Sequence, residues 1–209
     1  MDEISGQGGE AAPVKADLEV EDEAAGLIER AADRIGLITC LINNASVFQK
    51  DTPETVTKET WKSHMQVNLR APFQLIQAFS RTLSDDAAGN VINLIDQRVW
   101  NVTPHFTSYT VSKVALWGLT QNLALALAPR IRVNAIGPGP TLPSVHQSDE
   151  QFQRQWSSLP LGRSVMPKEI CRAVRFLLAA PSITGQMIGL DGGQQLGGAQ
   201  GAPDGGTAE

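Results

Sequence analysis

Short, mostly apolar runs alternate with longer stretches of helical periodicity along most of this chain. The four clearest runs are Leu37–Ile42, Val91–Ile95, Ile131–Ile136 and Met187–Leu190. The first is continuously apolar, as in a strand that is buried on both faces of a parallel sheet. Because strands that alternate with helices assemble into such sheets, we predict an α/β protein whose parallel sheet is covered on both faces.

Apolar residues recur at helical spacing between these runs. The predicted helices are Glu21–Ile35, Thr57–Leu83, Ser108–Ala128 (ended by Pro129), Ser148–Trp156 and Lys168–Ala180. A short strand, Ala16–Leu18, is predicted before the first of them. The Gly-, Ala- and Pro-rich segment 197–209 is predicted to be a disordered tail.

Composition narrows the class of protein. At 209 residues, with 42% hydrophobic and 19% charged residues, the chain has the size and balance of one globular domain. A net charge of −5 argues against a nucleic-acid or acidic-membrane partner. No apolar run approaches the roughly 18 residues of a membrane span, so we predict a cytoplasmic protein. Cys40 and Cys171 lack metal-ligand spacing and are predicted to be reduced core thiols, and no metal site is predicted.

The residues most suggestive of chemistry are Asp96, Tyr109 and Lys113. Tyr109 and Lys113 stand four positions apart at the start of a predicted helix, so their side chains share one face. A positive charge beside a phenol favours the phenolate, and we predict that Lys113 lowers the pKa of Tyr109. Asp96 ends a predicted strand, at the edge where α/β sheets gather catalytic groups. Together they indicate proton transfer coupled to oxidation or reduction.

Each of these residues also has an ordinary structural interpretation. A Tyr-x-x-x-Lys spacing occurs on many helix faces, and motifs of this length are hypotheses only. An aspartate at the boundary of an element, such as Asp96, is most often a helix or turn cap. The neighbouring motifs decide between these interpretations.

Five motifs follow in the order seen in the short-chain dehydrogenase/reductases, which this chain resembles from about Ala16 to Leu196. They are Leu41-Ile-Asn-Asn-Ala-Ser46, Val67-Asn-Leu69, Tyr109-x-x-x-Lys113, Val133-Asn-Ala-Ile-Gly-Pro-Gly139 and Leu190-Asp-Gly-Gly193. In that family the residue at the position of Asp96 is usually serine, and the aspartate here is similar to the pteridine reductases. Ser46, in place of the usual glycine, and Phe48 also resemble that branch.

The resemblance implies a doubly wound, Rossmann-like parallel sheet and a set of catalytic roles. Tyr109 would donate the proton as hydride arrives, and Lys113 would lower its pKa and hold the nicotinamide ribose. Asp96 would orient the phenol or relay a proton. Asn68 matches the asparagine that supports a water-mediated proton path from the lysine, although a buried amide or a helix bend would explain it equally well.

The resemblance also implies sites for the cofactor NADP and for a small-molecule substrate. Besides Tyr109 and Lys113, the implied cofactor-binding residues are Asp17, Leu18, Asn44, Ala45, Ser46, Pro138 and Gly139. Phe48, with Asp96 and Tyr109, would contact the substrate, since a phenylalanine here stacks a flat pterin against the nicotinamide in that branch. Phe48 packed under the following loop is the alternative. For Asp17 and for Pro138-Gly139, the alternative is an ordinary turn that binds no cofactor.

The start of the chain departs from the family pattern. A dinucleotide-binding sheet opens with a strand, a glycine-rich turn and a helix, but Gly6-Gln-Gly-Gly9 precedes a predicted strand instead of following one. We therefore predict one Rossmann-type domain over residues 1–196 that lacks the first β-α-β unit. A gap would then lie beside the strand at Leu37–Ile42.

Three functions remain open from the sequence. The first is reduction of a pterin or dihydrofolate-like C=N bond, and the second is general carbonyl or 3-oxoacyl reduction by the same machinery. The third is a non-catalytic pseudoenzyme or oligomerisation subunit, which the missing glycine-rich loop favours. Family resemblance implies a homodimer or homotetramer.

Overall fold

The computed structural model describes residues 2–144 and 147–197 and contains a four-stranded, fully parallel sheet in the order β1-β2-β3-β4. The strands are β1 (Cys40–Asn43), β2 (Gly89–Leu94), β3 (Ile131–Pro138) and β4 (Met187–Leu190). Ile42 of β1 pairs with Ile92 of β2, and Val91 of β2 pairs with Val133 of β3. The predicted parallel α/β sheet is therefore confirmed.

Eight helices are described around this sheet. They are α1 (Asp2–Gly6), α2 (Glu21–Ala25), α3 (Leu27–Ile35), α4 (Lys58–Met65), α5 (Ala71–Thr82), α6 (Thr107–Ala126), α7 (Asp149–Ser157) and α8 (Pro167–Ala179). The Thr57 hydroxyl caps α4 by accepting from the Thr60 N–H at 3.1 Å, and Ser148 with Gln151 forms a capping box on α7. A π-helical turn, Gln66–Arg70, joins α4 to α5.

Three predicted elements differ from the structure. Ala16–Leu18 is not a strand, because it pairs with no strand of the described residues. The helix predicted over Glu21–Ile35 breaks at Gly26, whose ψ of 3° lies outside the helical range. The strand predicted to begin at Leu37 begins at Cys40, since pairing with β2 starts there.

Both faces of the sheet are covered, as a doubly wound fold requires. On one face Val91 and Val133 pack with Ile76 and Phe79 of α5, while on the other Ile92 packs with the buried residues of α8. The neighbouring residues Val91 and Ile92 of β2 thus enter opposite cores, which is why both are apolar. Burying a side chain the size of Phe79 contributes about 1.5–3 kcal/mol.

The outer edge of β1 has no strand partner in residues 2–144 and 147–197. Ile42 is 43% exposed there, in contrast to the 1% of its partner Ile92. This edge is where the sequence predicts a gap. The limits of the domain stay a prediction, and residues 198–209 of the predicted tail lie outside the described residues.

Two smaller points complete the fold. Within the described residues no helix is long and apolar enough to cross a membrane. The prediction of two core thiols is wrong for Cys171, which is exposed on α8, and Cys40 is only partly buried. Burial raises the pKa of the Cys40 thiol.

Candidate active site

The carboxyl end of β2 and the start of α6 bring Asp96, Tyr109 and Lys113 together. The Tyr109 hydroxyl donates to Asp96 Oδ2 at 2.9 Å. The Lys113 ammonium donates to the Leu94 carbonyl at 2.9 Å and lies 5.7 Å from the centre of the Tyr109 ring. Residues four positions apart on α6 share a face, so Tyr109 and Lys113 lie close together, as predicted.

Asp96 has both of the roles that the sequence leaves open, since it caps a turn and also binds the Tyr109 phenol. Its Oδ1 accepts from the Arg98 N–H at 2.7 Å and so caps the 3₁₀ turn Gln97–Val99. Its Oδ2 is the acceptor for Tyr109. The cap fixes the carboxylate in place, and the second oxygen then orients the phenol.

The pKa of Tyr109 shifts in the direction opposite to the prediction. Burial raises it well above its ordinary value, and the charge and hydrogen bond of Asp96 raise it further. Burial also lowers the pKa of Lys113 to about 8, against the opposing effect of Asp96. The prediction is wrong because it counted the nearby cation and neglected desolvation and the closer carboxylate.

Asn68 lies in the π-helical turn and is 1% exposed. Its Oδ1 accepts from the Val47 N–H at 2.8 Å and from the Ser46 hydroxyl at 3.0 Å. Its Nδ2 donates to the Val47 carbonyl at 2.9 Å and to Ser112 at 3.1 Å. Asn68 therefore ties the segment after β1 to α6, and the extra residue of the π turn directs its side chain there.

A second buried network, which sequence reasoning missed, holds the next part of this segment. His64 of α4 is fully buried, and its pKa is lowered mainly by that burial. Its Nε2 accepts from the Gln49 N–H at 3.1 Å, so its Nδ1 donates to Ser108, 2.6 Å away. Ser108 in turn donates to Asp51. No local pattern marks this set, because its members lie 44 and 57 positions apart.

Phe48 is held between two aromatic rings. It stacks on Phe106 with ring centres 4.4 Å apart and an interplanar angle of 7°, and it meets Tyr109 edge-on at 4.7 Å. Phe106 precedes α6 with a φ of 60°, a left-handed conformation that is rare for residues other than glycine. One face of the Phe48 ring thus packs against Phe106, which agrees with the alternative interpretation of Phe48 as loop packing. Phe48 also lines the cleft that is described next.

A cleft of about 310 Å³ lies over these residues. Its walls include Phe48, Asp96, Tyr109, Pro138 and Gly139. Glycine is required at position 139, because a Cβ there would lie 2.8 Å from the Asp191 Cα. Asp191 accepts from the N–H groups of Gly193 and Gln195, which fixes the wall that Gly139 touches.

The other predicted cofactor residues lie outside this cleft. Asn44, Ala45 and Ser46 are exposed directly after β1. Asp17 accepts from the Glu19 N–H at 2.9 Å in an ordinary turn, and the Leu18 carbonyl accepts from Gln66. Among the described residues no cluster of three or more His, Cys, Asp or Glu side chains could hold a metal ion.

Comparison with known proteins decides the family. Residues 1–195 match the family model described as enoyl-(acyl carrier protein) reductase. The chain belongs to the short-chain dehydrogenase/reductase family. It is accordingly an oxidoreductase.

Three reductases of the short-chain dehydrogenase/reductase family are similar to this chain. The crystal structure of FolM alternative dihydrofolate reductase 1 from Brucella canis complexed with NADP is 51% identical, with a TM-score of 0.91 over 97% of this chain and 80% of that one. A dihydromonapterin reductase of Enterobacter is 30% identical over 88% of this chain and 77% of its own length. The 3-oxoacyl-[acyl-carrier-protein] reductase FabG of Thermotoga maritima is 30% identical over 91% of this chain and 80% of its own length.

Proposed function

We propose that this chain reduces a C=N bond of a pterin or dihydrofolate-like substrate, with NADPH as the hydride source and Tyr109 as the proton donor. The observation that carries the proposal is the hydrogen bond from the Tyr109 hydroxyl to Asp96 Oδ2 in the wall of the cleft, beside Phe48. The similarity to a dihydrofolate reductase and a dihydromonapterin reductase supports the same substrate class.

The described residues fit the nicotinamide half of the cofactor. Lys113 is buried near Tyr109, and Pro138 and Gly139 line the same cleft as Tyr109, with Gly139 in close approach to Asp191. The pyrophosphate half is different, because in residues 2–144 and 147–197 no strand is followed by a glycine-rich turn that opens directly into an α-helix. The Asp191-Gly-Gly193 turn after β4 leads into the 3₁₀ turn Gln194–Leu196 instead. The segment Gly6–Gly9 begins at the last residue of α1 and leads into residues that form neither helix nor strand, so it does not fit that role.

The protein's part in the reaction is to hold and deliver a proton. When bound, NADPH would supply hydride for the carbon of the C=N bond, and Tyr109 would supply the proton that the nitrogen takes up. Because its pKa is raised, Tyr109 keeps its proton at neutral pH and has one to give. Lys113, with a pKa of about 8 and its Nζ 5.7 Å from the centre of the Tyr109 ring, would exchange protons close to neutral pH and restore the phenol. Asp96 keeps the hydroxyl directed into the cleft.

Carbonyl or 3-oxoacyl reduction is the second candidate, and the similarity to FabG supports it. The same proton donor serves both reactions, so only the substrate separates them. Purified protein is assayed for NADPH oxidation with a dihydropterin and, separately, with an acetoacetyl thioester. Turnover of the dihydropterin alone supports the proposal, whereas turnover of the thioester alone refutes it.

Binding must be separated from turnover to test the pseudoenzyme alternative. Quenching of NADPH fluorescence reports binding without any substrate. If the protein leaves NADPH fluorescence unchanged at millimolar concentration, this chain is not an enzyme by itself. Homodimer or homotetramer formation and a cytoplasmic location belong to the same proposal, and sedimentation of the purified protein tests the first.

A further inference from the structure

Two side chains next to Asp96 are buried at the cleft without partners for all of their polar atoms. Gln97 and Arg98 form the turn after Asp96, border the cleft, and are only 4% and 7% exposed. In the described chain, Gln97 Oε1 and Arg98 Nε have no hydrogen-bond partner. Buried polar groups are paired in most proteins, so two unpaired atoms on one wall need an explanation.

Arg98 is fixed in place by contacts that leave one edge of its guanidinium unused. Nη1 donates to the Thr103 hydroxyl at 2.6 Å, and the guanidinium carbon lies 4.9 Å from the centre of the Phe106 ring. Within residues 2–144 and 147–197, no carboxylate lies within ion-pair distance of it. The planar fork of arginine suits a planar oxygen acceptor, and a rigidly held fork loses little entropy on binding one.

The rest of the polar lining is uncharged. Gln147 and Gln155 hydrogen-bond to each other at 2.9 Å, and Gln194 has an unpartnered buried Oε1 of its own. Asp96 and Arg98 are the only charged side chains of the lining that the structure describes. A wall of amides beside the Phe48 ring suits a flat ring with several N–H and C=O groups better than an acyl chain.

We propose that Gln97 and Arg98 recognise a cyclic-amide edge of the substrate, in which an N–H and a C=O stand side by side. Gln97 Oε1 accepts from the N–H, and Arg98 Nε donates to the C=O. This proposal rests on the proposed pterin reduction and deepens it, because dihydropterins carry such an edge at N3 and C4 and 3-oxoacyl thioesters do not.

The first test compares two substrates in the unaltered protein, and the second repeats the comparison in a variant. With saturating NADPH, kcat/KM is measured for a dihydropterin and for its N3-methyl derivative, which lacks the N–H. We expect methylation to lower kcat/KM about 10- to 100-fold in the unaltered protein, because a site built to bind a polar group rejects an analogue that lacks it. In Gln97→Met the two substrates should differ by less than about 3-fold, since the accepting oxygen is gone.

A matched control and a second measurement complete the design. Gln74 on α5 also has an unpartnered Oε1 but does not border the cleft, so Gln74→Met should keep the full discrimination of the unaltered protein. Arg98→Lys keeps the charge and removes the fork, and should weaken binding of both pterins. Fluorescence titration with oxidised pterin and N3-methylpterin gives the same ratio at equilibrium, so a variant that has lost turnover is still measured.

The possible failures are distinguishable. Equal kcat/KM for both dihydropterins in the unaltered protein overturns this edge recognition and leaves pterin reduction standing. Full discrimination that persists in Gln97→Met overturns the assignment to Gln97. If the unaltered protein neither binds nor reduces either pterin, the proposed function fails and this proposal fails with it.

Discussion

The segments that follow β2 and β1 at the same edge of the sheet are held very differently. After β2, Asp96 is fixed by the Arg98 N–H and the Tyr109 hydroxyl, and a third strand pairs on the far side of β2. After β1, residues 44–46 are exposed, and Asn68, the His64 network and the stacking of Phe48 tie the following residues to the rest of the site. The proton-transfer half of the site is thus preorganised by contacts within the described chain, whereas the half beside β1 is supported from one side only.

The largest effect is expected when the proton donor is removed from the half of the site that follows β2. Tyr109→Phe keeps the ring that packs against Phe48 and deletes the hydroxyl that donates to Asp96. We expect kcat to fall about 10²–10⁴-fold, the usual contribution of a positioned general acid. Stopped-flow measurement of NADPH oxidation gives the rate, and circular dichroism checks the fold. A variant that retains a tenth of the activity would exclude Tyr109 as the donor.

The same substitution at two paired positions compares the packing of the two strands. Ile92 of β2 is 1% exposed and its partner Ile42 of β1 is 43% exposed. Ile92→Ala should lower the free energy of unfolding by about 2–5 kcal/mol, because it leaves a cavity between the sheet and α8. Ile42→Ala should cost less than about 1 kcal/mol. Urea denaturation measures both, and equal losses would show that the outer face of β1 is covered in solution.

A subtler change tests how Asp96 sets the proton affinity of its neighbours. The carboxylate raises the pKa of both Tyr109 and Lys113, so Asp96→Asn lowers both. A donor must be protonated to act, and activity is lost as pH rises through its pKa. The alkaline decline of kcat/KM should therefore begin at a lower pH in Asp96→Asn than in the unaltered protein. An alkaline limb that stays in place would mean that Asp96 only orients the phenol.

Much of the fold follows from sequence pattern alone. Residues 91–94 of the run Val91–Ile95 lie in β2, which is buried on both faces. The helix predicted over Ser108–Ala128 is α6, which spans Thr107–Ala126 and ends three residues before Pro129. Local rules failed at Ala16–Leu18, because a strand exists only when a neighbour pairs with it. They also missed the break at Gly26, where a permissive residue allowed two short helices in place of one.

The site divides in the same way. Spacing along α6 and the end of β2 were enough to place Asp96, Tyr109 and Lys113 at one point, since helix periodicity and the sheet edge are local properties. The direction of the Tyr109 pKa shift could not be predicted from spacing, because desolvation depends on everything that packs around the phenol.

The sequence by itself determined the order of strands and helices, the family, and the three groups that meet at the end of β2. Only the tertiary structure decided that His64 is buried against Ser108 and Asp51, that Phe48 stacks on Phe106, and that Gln97 and Arg98 keep unpaired atoms at the cleft. The physical reason is distance along the chain: periodicity fixes which face a residue takes, but the partner that satisfies a buried polar atom comes from a remote segment.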